Sequence, residues 1–272
     1  MLVVIRCIAF DCDGVLADAI SSWRTLHDYF GTDTGEMLRR FIAREISDEE
    51  FMRYDIQLWK SVQAEIHRDD LFRAYAGIKL ITGAREVVAR LQERGILVVI
   101  ISAGIDIFVG AIAAMLKVDD WIANGFEFDD DGFLLDEGIL RVSAHKKASA
   151  VERVIEMHDL SAEEVACVGD SEVDLSMHVE GSTFIGFNPT RESSFDAFAE
   201  AGVPIVESQD LRDIWVHLFG QPFEAKASGD LRKNRGSKIR NIFADTKVQI
   251  LFLVVVLLTT LTMLCGKMSD TI

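Results

Sequence analysis

The chain opens on an apolar run, "IRCIAF" (5–10), that stops abruptly at Asp11 and Asp13. A short, unbroken apolar segment bounded by a turn reads as a buried strand. Residues 17–75 differ: they are charged, rich in helix formers and without a strand-like run. Within them Ser47 stands at a helix N-cap position, with Glu50 three residues later as its capping-box partner. Phe51, Ile56, Leu58, Trp59, Val62 and Ile66 then recur mainly at helical spacing. The pattern predicts a small helical cap, 17–76, inserted directly after the first strand.

From Gly83 onward the pattern alternates between two periods. Residues 83–95 form an amphipathic helix, "ILVVIIS" (96–102) a continuous apolar strand ending at Ser102, and 105–116 the next helix. "WIANGFEFDDDGFLLDEGILRV" alternates and turns at Asp131-Gly132, which predicts a hairpin. A helix at 146–158, a strand at 163–170, a helix at 171–180 and a strand at 182–187 follow. A helix near 193–200, a short strand at Val203–Val206 and a last helix near 210–219 close the series. Strands and helices in this alternation predict an α/β fold with a doubly wound, Rossmann-like parallel sheet built from residues 1–16 and 77–219.

The end of the chain breaks the pattern. Residues 248–266 hold no charged side chain over 19 positions, the length of a helix that spans a bilayer core. Seven basic residues from Lys226 to Lys247 precede the run and only Lys267 follows it. The positive-inside rule then leaves the body in the cytoplasm, with 248–266 as a single transmembrane helix and 220–247 as a basic juxtamembrane linker.

Charge narrows the partners. The formal net charge is −16, yet residues 226–272 carry eight basic against three acidic residues, so residues 1–225 hold −21. A body that acidic repels nucleic-acid phosphates, so no nucleic-acid partner is expected. The four cysteines form no CxxC pair, and three lie in or beside apolar strand-like runs, as reduced buried thiols do. Oligomeric state leaves no mark in the sequence.

In a doubly wound sheet, ligands bind beyond the carboxyl ends of the strands. That rule gathers Asp11, Asp13, Ser102, Asp170 and Asp174 at one rim, with Lys147 opening a helix nearby. Four carboxylates in one place repel each other, and a Mg²⁺ ion, a hard cation with oxygen ligands, relieves that repulsion. Ser102 and the backbone amides of Ala103 and Gly104 are expected where a helix begins, a setting that suits an anion. Taken singly, each signal has a plainer reading: a strand-end turn, an N-cap serine, a surface lysine. Taken together, metal site, anion hole and lysine describe phosphoryl transfer.

"DCDGVL" (11–16), "IISAG" (100–104), Lys147 and "GDSEVD" (169–174) resemble the four motifs of the haloacid dehalogenase superfamily. The resemblance covers roughly residues 3–219, and the phrasing is similar to the phosphoserine-phosphatase-like branch. It implies a phosphatase acting on a small phosphorylated metabolite. In that reading Asp11 is the nucleophile that becomes an aspartyl-phosphate, and Asp13 is general acid and then base. Asp11, the backbone carbonyl of Asp13, and Asp170 would hold Mg²⁺, with Asp174 in support. Ser102, Ala103, Gly104 and Lys147 would bind the phosphoryl group; Lys146 is the alternative lysine. Ile20 stands where the branch carries a glutamate that reads the substrate amine, and Arg53 is the candidate for gripping a carboxylate. Ala103 and Val173 replace a glycine and an asparagine of the branch's motifs. A membrane-tethered binding or scaffold module on the same fold, or a phosphotransferase or phosphomutase, is the competing expectation.

Overall fold

The apolar run at the front of the chain is the middle strand of a seven-stranded sheet. The structure, a computed structural model, describes residues 4–224. β1 (Cys7–Phe10) is followed by four helices, α1 (Ser22–Phe30), α2 (Gly35–Ile42), α3 (Asp48–Val62) and α4 (Arg68–Ala74). Then come α5 (Ala84–Glu93), β2 (Leu97–Ile105), α6 (Asp106–Leu116), β3 (Asp120–Phe128) and β4 (Leu134–Ile139). The chain continues through α7 (Ala148–Met157), β5 (Val165–Gly169), β6 (Thr183–Phe187), α8 (Glu192–Glu200), β7 (Ile205–Val206) and α9 (Trp215–Phe219).

The strand order is β4-β3-β2-β1-β5-β6-β7, with every neighbouring pair parallel except β3–β4. Successive strand residues point to opposite faces, and here both faces are covered. Ile8 and Phe10 join one apolar cluster with α5, α6 and Trp215, while Cys7 and Ala9 join another with α7, α8 and Met177. The apolar run has no polar alternation because neither side meets water. Cys7, Cys12 and Cys167 are buried free thiols.

The helical insert carries its own apolar cluster, built on Leu26, Phe30, Ile56, Trp59, Ile66 and Leu71. Ile105, Phe126 and Leu134, from β2, β3 and β4, complete it, so the insert is packed onto the sheet's edge. The capping box at Ser47 and Glu50 is present, with both reciprocal hydrogen bonds. The hairpin turns at Asp131-Gly132, where Asp129 Oδ1 accepts from the amides of Asp131 and Phe133.

Three expected elements differ. Strand β2 runs past Ser102 to Ile105, and α6 begins only at Asp106. The helix expected over 171–180 is a 3-10 turn, Glu172–Met177, whose start is capped by the Asp174 carboxylate through the amides of Asp170 and Ser171. The helix near 210–219 divides into a 3-10 turn, Leu211–Ile214, and α9. The expected membrane span 248–266 and most of the 220–247 linker lie outside the described residues. Among the described residues, no helix is long and apolar enough to cross a membrane.

Candidate active site

β1 lies between β2 and β5, so the carboxyl ends of these three strands share one crevice. Asp11 leaves β1 there, pinned by its amide to Val168 O at 2.9 Å. The chain then turns tightly: Leu16 and Ala17 amides both donate to Cys12 O, and Gly14 sits at φ +74°. That positive φ is open to glycine at no steric cost, and it brings Asp13 back to the rim beside Asp11.

Lys147 ties the site together. Its Nζ donates to Asp11 Oδ1 at 2.7 Å and to Asp174 Oδ1 at 2.6 Å, with all three side chains buried. The other oxygen of Asp174 accepts from the amides of Asp170 and Ser171 and from Ser171 Oγ. Burial works against the charged Asp174, yet Lys147 and Ser171 hold it below the usual carboxylate range. Burial would likewise lower Lys147, but Asp11 and Asp174 hold it above the usual lysine range. Burial pushes Asp11 up to about 7, against the pull of Lys147 and with help from Asp174 and Asp13. Asp170 is driven well up by burial, then by Asp174 and Asp11. Lys146 has an exposed side chain, whereas Lys147 is 3% exposed.

Asp13 is held by one oxygen only. Its Oδ2 accepts from Ser22 N at 2.7 Å and Ser22 Oγ at 2.8 Å, while its buried Oδ1 has no hydrogen-bond partner. Burial outweighs these bonds and holds the Asp13 carboxyl above its ordinary range. A Cβ on Gly104 would crowd Ser22 Oγ, Asp13 Oδ2 and Ser102 Oγ, so the missing side chain there is what lets the serine and aspartate approach.

Ser102 is buried at the rim, but not at a helix start as expected; Ser102, Ala103 and Gly104 belong to the last stretch of β2. The anion setting therefore owes nothing to the α6 N-terminus. Ser102 Oγ accepts from Gly104 N at 3.1 Å, and Ala103 O accepts from Trp23 Nε1 and Asn124 Nδ2, both at 3.1 Å.

The arrangement fits a divalent cation. Asp11, Asp170 and Asp174 each bring a carboxylate oxygen within 4.8 Å of the others, and Asp13 adds a fourth acid against the single charge of Lys147. Oxygen donors in excess negative charge suit Mg²⁺. Both oxygens of Asp174 are already engaged, which casts it as the residue that orients Lys147 and the 170–171 backbone.

Two expected specificity residues are not brought to this cluster. Ile20 is 86% exposed, and Arg53 forms a half-exposed ion pair with Glu137 at 2.7 Å. The inward face of α3 is instead Met52, Asp55, Ile56 and Trp59. Asp55 and His27 are both buried, 3.2 Å apart, with Thr34 Oγ1 donating to Asp55 Oδ1. Trp59 Nε1 donates to His27 Nδ1; an indole can only donate, so Nδ1 is an acceptor and the proton sits on Nε2, facing Asp55. Ser22, Trp23 and Asn124 were also not singled out by the sequence. Met52, Asp55, Ile56 and Trp59 share an i, i+3, i+4, i+7 stripe that could have revealed Asp55 as an inward polar residue.

The family model of haloacid dehalogenase-like hydrolases matches residues 8–178. The chain is 29% identical over 187 residues to a phosphoserine phosphatase of Archaeoglobus fulgidus, covering 67% of this chain and 52% of the relative. It thus spans about half the length of that relative. A phosphoserine phosphatase of Methanocaldococcus jannaschii is 28% identical over 181 residues, covering 64% of this chain and 78% of the relative. A substrate-bound phosphoserine phosphatase structure aligns with TM-score 0.66 at 22% identity over 79% of this chain and 98% of that one, a likeness of fold.

Proposed function

The chain belongs to the haloacid dehalogenase-like hydrolases, and from that premise we propose that it is a phosphatase of small phosphomonoesters that works through an aspartyl-phosphate. The observation that carries the reading is Asp13. One oxygen is fixed by Ser22 and the other is buried and unpartnered, two residues along the chain from Asp11, an oxygen left available for proton transfer to a leaving group.

In the first step an Asp11 oxygen attacks phosphorus, the bond to the ester oxygen breaks, and Asp13 gives that oxygen its proton. In the second step Asp13 takes a proton from water, water oxygen attacks phosphorus, and the Asp11–phosphorus bond breaks. Lys147 and Ser102 hold the phosphoryl oxygens, and Asp174 keeps Lys147 aimed. Asp11, Asp170 and the backbone carbonyl of Asp13 would hold Mg²⁺, which supplies charge neutralisation around the transferring group.

The relatives are phosphoserine phosphatases, but Ile20 offers no charge to an amine and Arg53 is spent on Glu137. Phosphoserine is therefore not the preferred substrate. Hydrolysis of p-nitrophenyl phosphate with Mg²⁺, lost in Asp11→Asn, tests the activity; an equal negligible rate for both across a broad phosphate-ester panel overturns it. A dominant phosphoserine activity in that panel overturns the substrate reading.

Residues 248–266 tether this body to the cytoplasmic face of a membrane. The support is the uncharged run of 19 positions behind seven basic residues. A full chain recovered in the soluble fraction without detergent overturns it.

A further inference from the structure

The turn that carries Lys147 is held from outside the sheet. Asp48, the first residue of α3, accepts from Ala144 N at 2.9 Å through Oδ1 and from Ser143 Oγ at 2.8 Å through Oδ2. Ala144–Lys146 is a 3-10 turn that leads directly into α7, and the first amides of such a segment have no partner within it. Ser143 stands at the capping position but makes no side-chain cap bond to its own turn. The carboxylate of Asp48, about a hundred residues earlier in sequence, takes that role.

From the opposite side, Ser176 Oγ donates to Ala144 O at 2.8 Å and accepts from Lys147 N at 3.2 Å. The turn is thus gripped between the helical insert and the Glu172–Met177 turn that follows β5. Next to it the Phe41 ring of α2 lies 5.2 Å from the His145 ring, and His145 Nε2 lies 3.3 Å from Phe41 O.

We infer that Asp48 is a positioning residue, which clamps the Lys147 turn when the insert is seated on the sheet and so makes the aim of the lysine depend on closure. Asp11, Ser102 and Lys147 are 5%, 1% and 3% exposed, so parting of insert and sheet would widen the way to them. Parting breaks the two Asp48 bonds; closing restores them and re-seats Lys147 against Asp11. The catalytic half of this inference rests on the phosphatase reading, while the clamp itself does not.

Asp48→Ala and Asp48→Asn in the full chain test it with two readouts. Asparagine can still accept from Ala144 N and can donate to Ser143 Oγ, so it is the rescuing variant. In Asp48→Ala, amide hydrogen exchange over 143–147 accelerates about tenfold, with β1 and β5 unchanged, and kcat for p-nitrophenyl phosphate falls about tenfold with KM changed far less. Asp48→Asn returns both toward wild type. Faster exchange with unchanged kcat, or lower kcat with unchanged exchange, overturns the positioning role. If the wild-type chain hydrolyses no ester, the phosphatase reading fails by itself, and exchange over 143–147 alone upholds or overturns the clamp.

Discussion

Gly14 passes so close to Asp170 that a single added carbon on its Cα would collide with the Asp170 carboxylate. The two residues come from the ends of neighbouring strands, β1 and β5, and the gap between those strand ends is where the acidic cluster lies. Gly14→Ala therefore strains a φ of +74° and displaces Asp170 as well. We expect a loss of about 1–3 kcal/mol in unfolding free energy. Thermal unfolding with and without Mg²⁺ checks it: the variant should also lose its response to the ion.

The two aspartates of the first motif should separate in kinetics. Asp11→Asn removes the nucleophile and should reduce turnover by three orders of magnitude or more, on the order seen when covalent catalysis is lost. Asp13→Asn should slow alkyl phosphates about 10²–10⁴-fold, the usual worth of general acid–base catalysis. p-Nitrophenol leaves without needing a proton, so Asp13→Asn should release one rapid equivalent of it and then stall. Stopped-flow absorbance resolves that burst; a variant with no burst and no slow phase would contradict the assignment.

Metal binding has a readout apart from turnover. Four acids, two buried and two half-buried, against one lysine leave negative charge that a divalent cation would offset. Mg²⁺ at a hundredfold excess over its Kd should raise Tm by roughly 5–10 °C. EDTA should reverse the rise, and Asp170→Asn should abolish most of it.

Stability should carry a specific acid limb from the far end of the sheet. Asp210 caps the 3-10 turn Leu211–Ile214 through the Arg212 amide and also binds the Arg212 guanidinium, which holds its carboxyl below the usual range. A depressed carboxylate contributes stability above its unfolded pKa of ~3.9, and that contribution is lost as pH falls through the folded value. Asp210→Ala should cost about 1 kcal/mol at pH 7. Denaturant melts of both chains should converge as the pH drops below about 4.

Asp55→Ala should destabilise more than any surface change in the insert. It leaves the Thr34 hydroxyl without its acceptor and the buried His27 Nε2 without the carboxylate 3.2 Å away. Leaving such groups unpaired costs about 2–3 kcal/mol. Urea unfolding monitored by tryptophan emission checks this, since Trp59 lies against the pair.

The sheet was legible because its strands are buried on both faces, so Ile8 through Phe10 and Val98 through Ile101 read as unbroken apolar runs. The acidic rim was legible because Asp11 and Asp170 directly follow strands and Asp13 and Asp174 lie within a few residues of them. What the sequence could not carry was competition between local and distant partners. "SEVDLSMHVE" has a helical pattern, yet it forms only a 3-10 turn, with Ser176 Oγ bound to Ala144 O some thirty residues away. Ser102 does not stand at a helix start because β2 continues to Ile105, with Ala103 O tied to Asn124 and Ile105 N to Ser22. Arg53 could have been set aside from periodicity alone, since Met52 and Asp55 on either side of it define the inward stripe. The pairing of His27 with Asp55 joins two helices and leaves no local mark.

Ala103 O is an acceptor shared by the insert and the sheet, through Trp23 and Asn124. The indole of Trp23 is thereby wired to the Ala103–Gly104 peptide, just past Ser102. The molecule carries its own optical gauge: the part of its tryptophan emission that is lost in Trp23→Phe should register occupancy of the crevice without any label, and titration of both chains with inorganic phosphate would read it.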